Sequence, residues 1–113
     1  MMIEVIALNH LEKQLSVPIF NEKPEKDIPE RYVLIDKTGS GETNHLPNAT
    51  IAFQSYAESK YQAALLNKQL KNAVKKMVEL DEIRGITLNS DYYFPDTTKK
   101  QYRYQAVYEI RYY

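Results

Sequence analysis

The segment ESKYQAALLNKQLKNAVKKMVEL, residues 58–80, is the longest stretch of the chain with a regular apolar period. Apolar side chains recur every three or four positions, which predicts an amphipathic helix over residues 58–79. Two capping boxes compete for its start, Ser55 with Glu58 and Ser59 with Gln62. The expected core positions are Tyr61, Leu65 or Leu66, Leu70, Ala73, Val74 and Met77.

Alternating apolar and polar residues predict strands on both sides of this helix. Residues 49–56 place Ile51 and Phe53 on one face, and residues 83–94 carry Gly85 as a possible bulge. The strand over residues 101–112 is expected to pair with residues 83–94 as an antiparallel hairpin across the turn PDTTKK. Its core face is expected to hold Tyr102, Tyr104, Ala106, Tyr108, Ile110 and Tyr112, and its other face Arg103, Gln105, Glu109 and Arg111.

The N-terminal part predicts one short helix and two short strands. Residues 2–14 form the helix, with Ile3, Ile6, Ala7 and Leu11 at helical spacing. Residues 17–20 form a strand that Pro18 confines to a sheet edge, and residues 31–36 form the next one. Residues 37–48 lack any apolar period, so we expect an exposed loop.

Taken together, these elements predict a single α+β domain over residues 1–113. We expect an antiparallel or mixed sheet of about four to five strands, with the long helix and the short one packed on one face.

The composition of the chain disfavours several classes of protein. The 113 residues include no cysteine, and fifteen basic side chains balance fifteen acidic ones. These counts disfavour a disulfide framework, a thiolate metal site and long-range attraction to nucleic acid or anionic membranes. No run approaches the roughly 18 apolar residues of a membrane span, and the N-terminus does not resemble a signal peptide, so we expect a soluble intracellular protein.

The stretch LIDKTGSGETNHLPN, residues 34–48, superficially resembles a phosphate-binding loop. A P-loop needs Gly-Lys-Ser/Thr at the start of a helix, whereas here Lys37 precedes Gly39 and Gly41 and a strand follows. We therefore expect no nucleotide site. The length of the stretch is more informative, because loops this long are uncommon unless functional, and it would suit a contact arm ordered by a partner.

Other candidate chemical groups are equally sparse. His10 and His45 lack neighbouring ligands at metal-binding spacing, so we expect solvated or incidental side chains. A triad of Ser40, His45 and Asp36 can be drawn, which leaves a small hydrolase as a remote alternative, but no strand–turn–helix elbow supports it. We expect no catalytic residue, no metal, no cofactor and no enzymatic activity.

Charged groups elsewhere favour surface roles. The adjacent carboxylates of Asp81 and Glu82 follow a helix end and are expected to be surface charges. A stripe of Lys68, Lys71 and Lys75 is typical of a solvated helix face. The Arg/Tyr strand and this stripe leave open an alternative function, a small nucleic-acid-binding module, although its tyrosines are expected on the core face or in subunit contacts.

Residues 50–74 resemble the small tail-terminator or tail-completion proteins of long-tailed bacteriophages. The family pattern is a strand ending in an aromatic and a small residue, then a polar cap and an alanine-containing amphipathic helix. The matching positions are Ile51, Phe53, Tyr56, Ala57, Ser59, Ala63, Ala64, Leu65, Leu70 and Val74; the chain departs from the pattern at Gln54, Ser55, Tyr61, Gln62 and Asn67. The element order, with a loop before the central strand, is also similar.

This resemblance implies a structural protein that assembles as a ring, typically a hexamer, on the last ring of the tail tube. Such a ring would stop tube growth and help to join the tail to the head. The implied partners are the tail-tube protein, a head–tail connector protein and further copies of this chain, with no nucleic acid. The implied location is the virion tail, reached from the cytoplasm of the bacterial host during assembly.

Overall fold

The computed structural model describes residues 2–99 and 101–113. Its elements, in chain order, are α1 (Ile3–Gln14), β1 (Ile19–Phe20), β2 (Tyr32–Thr43), β3 (Leu46–Ala57), α2 (Lys60–Lys75) with a 3₁₀ helix over Lys76–Glu79, β4 (Ile83–Tyr93) and β5 (Tyr102–Tyr112). The order of one helix, three strands, one long helix and two strands confirms the prediction. Lys100, at the end of the predicted turn PDTTKK, lies outside the described residues.

The five strands form one mixed sheet in the order β1-β2-β3-β5-β4. Three pairs are antiparallel, and only β1 pairs with its neighbour in parallel, through Ile19 and Phe20. The predicted α+β class is therefore confirmed. Pro18 immediately precedes β1, which lies at the sheet edge as predicted.

Both helices pack on the same face of the sheet. The four apolar positions predicted for α1 are buried there, beside Val33 and Ile35 of β2. Ile51 and Phe53 of β3 lie in the same core, as their alternation predicts. No described helix covers the opposite face of the sheet, which is called the open face below.

The start of α2 decides between the two predicted capping boxes. Ser59 is the N-cap, since its hydroxyl accepts a hydrogen bond from the Gln62 backbone amide at 3.1 Å. Ser55 is instead buried within β3. The core leucine is Leu66 rather than Leu65, and the prediction that Tyr61 is a core residue is wrong, because its side chain is 72% exposed.

The two C-terminal strands pair as the predicted antiparallel hairpin. The register shifts between Ile83 and Gly85, which confirms an irregularity at the expected bulge, and shifts again between Leu88 and Ser90. On β5, Ala106, Tyr108 and Ile110 are buried against the helices, as predicted.

The prediction of a loop over residues 37–48 is wrong. These residues continue β2 and β3 into one long hairpin, whose cross-strand pairs run to Thr43 and Leu46. The two turn residues, Asn44 and His45, have φ values of 53° and 66°. Positive φ at both central positions is characteristic of the type I′ turn that closes two-residue hairpins.

Candidate functional site

The hairpin extends past the rest of the sheet. β5 pairs with β3 only from Asn48 onward, and β1 covers only Val33 and Leu34 on the outer side of β2. The last cross-strand pairs of this hairpin, Glu42 with Pro47 and Thr43 with Leu46, therefore form a two-stranded projection. This projection and the residues at its base, 39–48 in all, are called the arm below. The molecule is correspondingly elongated, measuring 43 × 25 × 24 Å.

The arm is held mainly by its own backbone pairing and by a few polar contacts. Asn48 Nδ2 donates to Thr43 Oγ1 at 3.3 Å, and Thr38 Oγ1, just before the arm, donates to the Thr50 carbonyl oxygen at 3.4 Å. Glu42 and Pro47 are cross-strand partners on the side of the sheet that carries the helices. Glu42 is exposed, so the tip presents an acidic group beside the apolar ring of Pro47.

The other lateral edge of the sheet is formed by β4, which pairs only with β5 among the described strands. An apolar groove of about 430 Å³ lies between this strand and the end of α2. Val78 is 53% exposed and Leu88 is 46% exposed, and both side chains line this groove. The lining residues are Lys71, Asn72, Lys75, Val78, Ile86, Leu88 and Tyr108.

Charge around the groove is mostly positive. Lys75 is exposed, while Lys71 forms an ion pair with Asp91 of β4. Asn67 Nδ2 also donates to Asp91 Oδ1 at 2.7 Å, which holds the carboxylate against α2. Burial, together with the charge of Asp91, raises the pKa of Tyr108 to about 12, so its hydroxyl stays neutral at the groove.

A cluster of aromatic and cationic side chains closes the open face at the end remote from the arm. The rings of Tyr32 and Tyr56 stack with centroids 4.4 Å apart. Lys23 and Arg103 each lie over the Tyr56 ring, at 5.3 and 5.5 Å from its centroid. These four residues and Phe94, whose ring lies 4.3 Å from the Arg103 guanidinium carbon, are called the clamp below.

Hydrogen bonds tie the clamp to the strands. Arg103 Nη1 donates to Tyr56 Oη at 2.8 Å, and Tyr56 Oη donates to Gln54 Oε1 at 3.2 Å. Arg103 Nε donates to the Phe94 carbonyl oxygen at 2.6 Å. Burial raises the pKa of Tyr32 to about 12, with a further contribution from Tyr56.

The clamp also joins two connections across the open face. Lys23, from the segment between β1 and β2, lies 3.3 Å from Asp96, in the segment between β4 and β5. The Lys99 backbone amide and then Lys23 lower the pKa of the Asp96 carboxyl group. These contacts order two segments that lack apolar periodicity in the sequence.

The structure separates the residues of the conceivable triad. Ser40 pairs with Ala49 on the helix-bearing side of the hairpin, whereas Asp36 pairs with Ala52 on the open face. His45 occupies the turn, and Asp36 lies seven positions along the extended strand, or about 24 Å, from Thr43, where β2 ends beside that turn. Gly39 and Gly41 lie in β2 of the arm and not before a helix, in agreement with the rejection of a P-loop.

The two histidines lie in different environments. His45 is exposed at the turn, but His10 is buried, which differs from the expected solvated side chain. His10 Nε2 donates to the Ala73 carbonyl oxygen at 2.8 Å and thereby links α1 to α2. Within residues 2–99 and 101–113, no three His, Asp or Glu side chains converge as a metal site would require.

The remaining charged candidates mostly have structural or solvated positions. Asp81 and Glu82 are exposed in the turn before β4, where the Glu82 carbonyl oxygen accepts from the Tyr113 amide at 3.0 Å. Lys68 and Lys75 are exposed on α2, as expected of a solvated face.

The tyrosines and arginines of β5 alternate between the two faces of the sheet, as predicted, so they do not share one exposed surface. Tyr108 is buried in the core, whereas Tyr102 is 42% exposed. Arg103 lies in the clamp on the open face, where β4 rather than β5 supplies the exposed aromatic rings, those of Tyr92 and Phe94.

The length of residues 37–48 suggested a contact arm, but nothing predicted that it is built of two strands, and neither the groove nor the clamp was predicted. The sequence signal for a hairpin turn in the arm was Asn44, because asparagine is common at the positive-φ positions of two-residue turns; His45 at the second position is not typical. The groove and the clamp combine residues from distant segments, for which the sequence carried no local signal.

The described helices include none that is long and apolar enough to cross a membrane. No protein-family model matches the chain, and no curated protein matches it significantly.

Proposed function

We propose that this chain is a structural protein of a bacteriophage or prophage tail. It caps the tail tube as an oligomeric ring and helps to join the tail to the head, and it resides in the virion tail. Its partners are the tail-tube protein, a head–tail connector protein and other copies of itself, in a ring whose size the resemblance suggests to be six. This function uses no catalytic residue and no cofactor.

The observation that carries the proposal is that the molecule has two different exposed surfaces, the projecting arm at the end of β2 and β3 and the edge of β4, which pairs with no described strand other than β5. Subunits with two different contact surfaces associate head to tail, and such contacts generate rings when the rotation closes. The strand, cap and helix over residues 50–74, which carry the resemblance, form the centre of this same domain. These features together support a ring-forming assembly protein.

The direct test is electron microscopy of lysates from a phage or prophage that carries this gene in an inactivated form. Filled heads beside detached tails of abnormal length are expected, and expression of the intact chain in trans should restore joined particles. Normal infectious particles without the gene product would overturn the proposal.

A second candidate function, a small nucleic-acid-binding module, is favoured by one observation. Tyr92 and Phe94 are each partly exposed on the open face, with ring centroids 5.8 Å apart, and Arg103 lies over Phe94. Exposed aromatic rings beside a guanidinium can stack with single-stranded bases. Binding of a fluorescent oligonucleotide that falls steeply with salt and is lost in Phe94→Ala would support this function, whereas no binding at low salt would exclude it.

A further inference from the structure

The arm projects from the end of β2 and β3, whereas the groove lies beside the edge strand β4. β3 and β5 separate β2 from β4, a distance of three strand spacings or about 14 Å. The arm also projects past the end of β5, away from Leu88 in the middle of β4. The arm of one molecule therefore points away from its own groove, and a contact between the two surfaces must join different molecules.

The two surfaces have complementary chemistry. The groove offers the exposed apolar side chains of Val78 and Leu88, with the free ammonium group of Lys75 at its rim. Glu42 is the only charged residue in the sequence from position 38 to 48, and it forms no ion pair with any described residue. Pro47, its cross-strand partner, supplies an apolar surface on the same side of the arm.

We propose that the arm of one subunit docks into the groove of the next copy of this chain. Pro47 packs against Val78 and Leu88, and the Glu42 carboxylate lies beside Lys75. This inference rests on the proposed ring and assigns its subunit contact. Because the register shift between Leu88 and Ser90 interrupts the edge of β4, the contact is made by side chains in the groove and not by a continued sheet.

A second copy is the occupant that these observations favour. Contact between an acidic, apolar arm and a basic, apolar groove is heterologous, so each subunit uses one surface of each kind and none is left over in a closed ring. An unrelated partner would leave the arm without a role and the ring without this contact.

Charge reversal tests the polar part of the contact. Glu42→Lys and Lys75→Glu should each weaken self-association about fivefold in sedimentation velocity, as expected for the loss of one accessible ion pair. The double variant, Glu42→Lys with Lys75→Glu, should return to within about twofold of the wild type, because the pair is rebuilt with its signs exchanged. Single variants that associate like the wild type, or a double variant that remains as weak as either, would overturn the assignment.

Substitution of Leu88, with Leu65 as a matched control, tests the apolar part of the proposed contact. Leu88→Asn should weaken self-association about tenfold or more, because an apolar side chain loses its buried contact. Leu65→Asn is the control, since Leu65 is 39% exposed on α2 but lines a different depression, near Arg31 and Val17. Circular dichroism checks that both variants fold. Equal behaviour of the two would contradict docking in the groove.

Cross-linking tests proximity directly, because the chain has no cysteine of its own. Glu42→Cys combined with Leu88→Cys should give a ladder of covalent multimers with a short bismaleimide, whereas Glu42→Cys with Leu65→Cys should not. A ring seen by electron microscopy without this ladder would refute the arm contact and leave the proposed function standing. Absence of both the ring and the tail defect would refute the proposed function itself, and the inference with it.

Discussion

The two ends of β3 share one strand but have opposite environments. From Ile51 to Ala57 every residue is buried, and the strand is paired with β2 and β5 on its two sides. At the other end, Leu46 and Pro47 pair only with β2 and are half-buried at most. The first end belongs to the core and the clamp, and the second forms the arm.

This contrast predicts that one end of the molecule determines the free energy of unfolding and that the other end determines contacts with partners. Burial of apolar and aromatic side chains and the hydrogen bonds from Arg103 to Tyr56 and from Tyr56 to Gln54 stabilise the clamp end, while the arm has little burial to lose. Substitutions near Tyr56 should therefore change unfolding, and substitutions near Glu42 should change association. The predictions below test that division, beginning with the largest expected effect.

Removal of the Tyr56 ring should cause the largest loss. Tyr56→Ala deletes the stack on Tyr32 and leaves Arg103 and Gln54 without a partner hydroxyl. The free energy of unfolding should fall by about 3–5 kcal/mol, as for other buried aromatic truncations. Urea unfolding followed by circular dichroism measures the change.

Tyr61→Ala is the matched control, because that ring is 72% exposed on α2. Its effect should stay within about 0.5 kcal/mol of zero. A similar loss in both variants would show that the clamp end is not the more strongly held one.

Alkaline pH should destabilise the clamp end of the fold, where Tyr32 is buried. Burial raises the pKa of Tyr32 to about 12, above the value near 10 of an unfolded tyrosine. A raised pKa means that the stabilisation is complete below pH 10 and is lost as pH rises from 10 to 12. The urea midpoint should fall over this window, and less steeply in Tyr32→Phe; an equal slope in both chains would contradict the assignment.

Glycine substitution at the turn of the arm should raise the free energy of unfolding. His45 has a φ of 66°, a conformation that glycine adopts without steric cost. His45→Gly removes the steric cost of a left-handed conformation, about 1–2 kcal/mol for a non-glycine residue, but it adds about 0.5–1 kcal/mol of unfolded-chain entropy. The net gain in the free energy of unfolding should therefore be about 1 kcal/mol or less in urea unfolding. Asn44→Gly should gain less, because asparagine already tolerates this region, and a larger gain at Asn44 would contradict the steric explanation.

Shortening of the arm should have the smallest effect on stability. Replacement of residues 42–47 by Asn-Gly keeps Gly41 and Asn48 as the pair that closes the hairpin. The free energy of unfolding should change by less than about 1 kcal/mol, because mainly exposed residues are removed. Cooperative unfolding at a much lower urea concentration would show that the arm belongs to the core.

Much of the fold could be predicted because one-sided burial leaves a trace in the sequence. Residues 58–79 show the helical period, and Ser59 with Gln62 marks a start that the structure uses. Residues 101–112 alternate because one face meets the helices. The choice between Leu65 and Leu66 stayed open because both are apolar and adjacent, and only the direction in which α2 packs separates them.

The strands of the arm were not predicted, because their residues lack the one-sided burial that leaves a pattern in the sequence. These strands bury neither face, so the segment from Gly39 to Asn48 needs no apolar alternation and resembles a loop in composition. Cross-strand backbone hydrogen bonds, which do not depend on side-chain type, hold it together. The burial of His10 was missed because its partner is a backbone carbonyl of α2, 63 positions away.

The sequence by itself determined the class, the order of the elements and most of their bounds, because local periodicity and capping report which residues face a core. Only the tertiary structure decided the strand order, the extension of β2 and β3 into the arm, and the meeting of Tyr32 with Tyr56 and of Val78 with Leu88. These features arise from register and packing between distant segments, and the free energy of such contacts has no counterpart in any local stretch of the chain.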